Sequence, residues 1–114
     1  NLVKHIFKNV YRDIIDNSAD KGPMSFVFKT NYHVAIAFII LSENNVSYEK
    51  ICSLLPDLSR SSIHAILSEG LKLGYFNKYL DKNDKRIKYY DCEKIQINLE
   101  KWCNRQKEIF ANES

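Results

Sequence analysis

Residues 47–90 leave this chain few folds to choose from, because they read in order as a helix, a short turn, a second helix and a basic two-stranded hairpin. The second helix opens at Ser59, whose side-chain oxygen can take an orphan N–H of the first turn. It ends at Gly74, which tolerates the left-handed backbone that closes helices. Between them Ile63, Ile66, Leu67 and Leu71 recur at helical spacing and predict an inward face over about four turns. Arg60, Ser61, Ser62, His64, Ser68 and Lys72 fall on the outer side. Short, polar and partly cationic side chains suit base edges and phosphates, and the major groove of DNA admits one helix.

The first helix of the pair is capped by Ser47 and turns Tyr48, Ile51, Cys52 and Leu55 inward; Pro56 stops it, and Asp57-Leu58 make the turn. Gly70 sits inside the second helix at a cost of about 1 kcal/mol relative to Ala, so either that helix frays early or another backbone comes close. Residues 75–80 and 87–90 are β-prone and flank a polar tip in which Asn83-Asp84 supply the turn, with Val46 placed to pair as a short strand with the hairpin base. Within residues 78–88, Lys78, Lys82, Lys85, Arg86 and Lys88 stand against Asp81 and Asp84, a local +3 that equals the net charge of the whole chain. Attraction to a polyanion is therefore concentrated in the hairpin.

These residues carry a resemblance. Residues 51–55, the turn at 56–58, Ser59-Arg60-Ser61-Ser62-Ile63 and Leu73-Gly74-Tyr75-Phe76 resemble the winged helix-turn-helix of MarR-family transcription regulators. The tip at residues 81–86 is similar to that family's wing motif, D-x-x-D-x-R, with Asp81, Asp84 and Arg86 in the matching places. Gly70 stands where the family usually has a packing Leu, and Asp91-Cys92 replaces its usual Leu-Thr after the wing. The short SarA-type branch is similar in length. The resemblance implies a mainly α fold with a small β-hairpin wing: a winged helix-turn-helix core at 30–92 between terminal helices at 1–17 and 93–112, all in one domain of residues 1–114.

The flanks fit that plan. Val3, Phe7, Val10 and Ile14 recur at steps of four and three on a first helix, with Ile6, Tyr11 and Ile15 beside them, a broad apolar face for a terminal helix. Since the family pairs its terminal helices, Val3, Phe7, Val10, Ile14, Trp102, Ile109 and Phe110 are the expected homodimer interface. Gly22-Pro23 signals a loop, and residues 24–29 suit strand or helix equally. Thr30 caps a helix over residues 31–43 that is apolar nearly all round and so buried, with His33 in a structural role; Asn44-Asn45 end it. A last helix over 93–110 carries Ile95, Leu99, Trp102, Cys103, Ile109 and Phe110 on one side, interrupted by Gln106.

Composition excludes other classes. At 114 residues and 45% apolar content the chain supports one real core, and its longest apolar run, residues 34–41, is far below the roughly 20 residues of a membrane span. No charged-then-apolar leader precedes a cleavage site. Cys52, Cys92 and Cys103 are odd in number and form no C-x-x-C pair, against a disulfide framework or a zinc ribbon and for a reducing cytoplasm; Cys52 reads as a buried small hydrophobe. No Gly-rich phosphate loop, H-E-x-x-H or recognisable nucleophile is present, and His5, His33 and His64 lie on three separate helices, so neither an enzyme nor a cofactor or metal is expected.

The function implied is that of a homodimeric regulator on double-stranded DNA. Arg60, Ser61, Ser62, His64 and Ser68 would contact bases or nearby phosphates in the major groove, with Arg60 reading guanine, and Lys72 would hold a phosphate. Lys82, Asn83, Lys85 and Lys88 would hold phosphates, and Arg86, braced by Asp84, would enter the minor groove. Two rivals share the fold: a protein-interaction module whose basic hairpin docks an acidic partner, and a plasmid or viral replication or partition protein bound to DNA repeats. The resemblance also implies a small-molecule effector site, for which Phe26, Phe28, Tyr32 and Trp102 could line a pocket, although core packing is the better expectation for them.

Overall fold

In the computed structural model, which describes residues 2–18, 22–43 and 45–113, short polar side chains set where the helices of the central lobe begin. The elements are α1 (Leu2–Ser18), α2 (Pro23–Val27), α3 (Asn31–Glu43), β1 (Val46–Ser47), α4 (Tyr48–Leu54), α5 (Arg60–Lys72), β2 (Asn77–Leu80), β3 (Lys88–Asp91) and α6 (Glu93–Glu113). Thr30 Oγ1 accepts the His33 N–H at 3.2 Å, Ser47 Oγ that of Lys50 at 3.1 Å, and Ser59 Oγ that of Ser62 at 3.1 Å. Asp91 Oδ1 accepts the Glu93 N–H at 3.2 Å and so serves the first residue of α6. Each such cap satisfies an otherwise unpaired donor and contributes about 1 kcal/mol. The stretch that suited strand or helix forms the short helix α2, with Pro23 in its first turn.

The core gathers where α3, α4, α5, the sheet and α6 meet. Ile36, Ala37, Ile51, Ile63, Ile95 and Leu99 are fully buried, joined by Val27, Ile40, Leu67 and Phe76. Cys52 is only half-buried and packs at the margin of this cluster rather than inside it. Asn45 takes a left-handed turn (φ 55°) after α3; Asn44 lies outside the described residues.

Gly70 neither frays the helix nor admits another backbone. α5 continues to Lys72, and the ring of Phe76 folds back against the glycine, so that a Cβ there would stand 2.2 Å from Phe76 Cδ2. The left-handed Gly74 (φ 81°) makes that return, and the Gly70 carbonyl accepts the N–H groups of Tyr75 and Phe76 at 2.8 and 3.1 Å. With those donors spent, β2 begins at Asn77 rather than at 75. Likewise the Ile87 N–H is turned to the Asp84 carbonyl, and β3 begins at Lys88. The sheet is antiparallel in the order β1-β3-β2, pairing Val46 with Tyr90 and Tyr79 with Tyr89.

The terminal helices α1 and α6 pack on each other. Ile6 and Val10 are half-buried, while Val3, Phe7, Tyr11 and Ile15, four residues apart, are 56%, 67%, 47% and 62% exposed. Of the expected interface, Val3 and Phe7 are therefore open and Val10, Trp102 and Ile109 half-buried; the side chains of Ile14 and Phe110 lie outside the described residues.

Candidate nucleic-acid interface

The outer face of α5 starts at its cap. Ser59 Oγ lies 3.2 Å from Ser61 Oγ and donates to Ser62 Oγ at 2.9 Å, which ties three hydroxyls together at the helix entrance. Arg60, Ser61, Ser62, His64 and Lys72 are exposed and Ser68 is half-buried, its hydroxyl 3.4 Å from His64 Nδ1. Ala65 shares the exposed face, a position the sequence pattern did not single out.

Arg60 is not free. Its Nη1 and Nη2 each donate to one oxygen of Glu49 on α4, at 3.0 and 2.8 Å, and its guanidinium carbon sits 5.7 Å from the centre of the Tyr48 ring. The Tyr48 hydroxyl in turn donates to the Arg60 carbonyl at 3.3 Å. Hydrogen bonding to Arg60 holds the Glu49 carboxyl below its usual range and pushes the guanidinium further up. Sequence reasoning missed Glu49 and Tyr48, because no helical period connects residues on two different helices.

The wing tip is built by its aspartates. Asp81 Oδ2 accepts the N–H groups of Asn83 and Asp84, both at 3.3 Å. The Asp81 N–H and the Ile87 carbonyl then close the loop at 3.0 Å. Asp84 grips Arg86 three times: Oδ1 takes the backbone N–H and Nε, Oδ2 takes Nη2, all at 3.0 Å. That pairing lowers the Asp84 carboxyl from its ordinary value. Lys82, Asn83, Lys85, Arg86 and Lys88 are all exposed around this frame. A cavity of about 380 Å³ between the start of α4 and the returning strand is lined by Tyr48, Glu49, Arg86 and Lys88, among others. The cavity thus joins the start of α4 to the wing, and Arg60 of α5 is tied to it through Glu49.

The other candidate groups sit elsewhere. His33 is buried, with Nδ1 2.6 Å from Thr30 Oγ1 and Nε2 3.9 Å from a Glu69 oxygen that Lys29 also approaches through its neighbour at 3.1 Å. Cys92 is buried and its thiol pushed up to about 11. The four aromatics considered for an effector pocket are divided. Phe26 packs among His33, Tyr75 and Phe76, Phe28 meets Trp102 at 5.6 Å, and Tyr32 is 46% exposed. Among the described residues no helix is long and apolar enough to cross a membrane.

No protein-family model and no curated protein matches this chain. Among solved structures, a crystal structure of MarR superposes with a TM-score of 0.58 at 14% sequence identity, over 97% of this chain and 82% of that one. The fold is therefore MarR-like over nearly its whole length, and the winged helix expected from the turn, cap and wing residues is the one observed.

Proposed function

For a chain with this MarR-like winged-helix fold, we propose a transcription regulator that binds double-stranded DNA as a homodimer, a non-enzymatic cytoplasmic protein whose residues 1–114 act as one domain. The observation that supports the reading most is the corner of α4 and α5 beside the wing: Arg60, at the start of the capped helix α5, is paired with Glu49, and Glu49 lines one cavity with Arg86 and Lys88 of the five-cation hairpin. One insertion at a major groove would set the other over the adjoining backbone and minor groove. Arg60, Ser61, Ser62, His64 and Ser68 contact bases or nearby phosphates, Lys72, Lys82, Asn83, Lys85 and Lys88 contact phosphates, and Arg86 enters the minor groove.

Two such units need a common axis, which the open stripe of α1 can supply. The radius of gyration is 15.5 Å, against about 13 Å for a compact chain of this length, in keeping with terminal helices that are not wrapped by their own lobe. A two-fold pair of reader helices makes the site a pseudo-palindrome with half-sites about one helical turn apart.

Fluorescence anisotropy on genomic fragments around the protein's own gene, against random duplex over a salt series, tests the reading. Sequence-selective binding with a steep salt slope that Arg86→Ala flattens supports it. Absence of binding at about 50 mM salt, where even non-specific contacts register, would sink it in favour of a protein partner.

A further inference from the structure

The cations of the α5 face and the wing are not equivalent. Among the described residues Lys72, Lys82, Lys85 and Lys88 have no carboxylate partner, whereas both arginines do. Arg86 takes its carboxylate from within the same tip, two residues away. Arg60 takes one from another helix, eleven residues back in the chain, and a tyrosine beside that carboxylate lies under its guanidinium. Both members of the Arg60–Glu49 pair are open to solvent, at 61% and 72% side-chain exposure, so the fold gains little from it.

Glu49 uses the end of the guanidinium, one oxygen to each Nη. Of the five N–H donors of an arginine two are spent, leaving Nε–H and one hydrogen on each Nη. The Nε and Nη2 edge, the same edge with which Arg86 holds Asp84, is complementary to two adjacent acceptors such as O6 and N7 of guanine. A phosphate would draw Arg60 away and leave the Glu49 charge facing the DNA backbone. A guanine edge can be met with the pair intact.

We propose that Glu49 is a positioning residue for Arg60: it cancels the charge that would commit this side chain to any phosphate and holds its remaining donors ready for a base edge, so that specificity at the reader helix is set from α4. This rests on the DNA-binding reading above. The lysines and the wing then carry the sequence-independent attraction, and Arg60 contributes to it only when released.

The test measures wild type, Glu49→Gln, Arg60→Ala and the double variant on the selected site and on random duplex, each over a salt series. Glu49→Gln is expected to bind random DNA several-fold tighter, with its salt slope steeper by about 0.9 for one added phosphate contact. Its preference for the selected site falls about tenfold, and all three changes vanish in the Arg60→Ala background. Retention of the full preference by Glu49→Gln, or the same gain on random DNA with Arg60 absent, overturns the proposal, since a diffuse loss of negative charge would act without that arginine. A wild type that binds no DNA instead removes the regulator reading and this inference with it. Glu49→Gln should melt within about 2 °C of wild type, as expected of an exposed pair.

Discussion

The lobe formed by α3 to β3 and the helix α1 are both rich in apolar side chains, yet they treat them in opposite ways. In the lobe Ile51 and Ile63 are fully enclosed and the helices start on capping hydroxyls. On α1 a file of four large apolar residues is left to solvent, Phe7 most of all at 67%. Amphipathic spacing therefore says that a face will be covered; the rest of the fold decides whether the same chain covers it. The lobe is closed by this chain, with Ile95 and Leu99 of α6 filling its core, whereas the outer stripe of α1 is left uncovered by it.

Core truncation should break the comparison most severely. Ile63→Ala is expected to cost about 2 to 5 kcal/mol in chemical denaturation, because the site is closed on all sides. Gly70→Ala comes next. On an open helix it would gain about 1 kcal/mol, but here the new methyl meets the Phe76 ring, and a net loss of about 1 to 3 kcal/mol is expected. A gain would show that Phe76 moves aside freely.

On α1 the expected effect has another currency. Phe7→Ser with Ile15→Ser should leave the helical circular dichroism of the lobe in place but shift sedimentation at micromolar concentration from dimer to monomer. A double variant that sediments as wild type would count against pairing through this face of α1.

The smallest effect belongs to pH. Burial holds the His33 imidazole below its ordinary 6.5, Glu69 partly offsets this, and Lys29 adds to it. The folded protein thus binds this proton less readily than the unfolded chain, so this contribution to stability is complete above about pH 6.5 and is lost as the pH falls below it. Thermal melts from pH 7.5 to 5.5 should decline more steeply for wild type than for His33→Asn. Equal slopes would show that His33 keeps its proton affinity on folding.

What could be read without coordinates was local chemistry. Thr30, Ser47, Ser59 and Gly74 act on their own or the next few residues, and each does in the structure what its type and position suggest. Asp81 and Asp84 belong to the same class, since the hydrogen bonds of their side chains to Asn83, Asp84 and Arg86 fall within a tip of six residues. Arg60 with Glu49 and Gly70 with Phe76 escaped because each pair needs two elements to be placed before the partners meet. The apolar face of α1 was visible, but it divides along its length. Val10 turns toward the chain's own helices while Phe7 and Tyr11 do not, and no property of α1 alone says where α6 will lie.

The seat of Phe76 against Gly70 has a geometric consequence for any duplex bound by this fold. Phe76 is the last residue before β2, so the hairpin starts one residue from a notch in α5 itself. On the DNA-binding reading proposed above, so short a tether fixes the spacing between α5 and the wing, and with it the distance from one groove to the next. An inserted base pair, about 3.4 Å, within a half-site should on that reading be rejected more strongly than the same insertion between half-sites, which the proposed contact between terminal helices would take up.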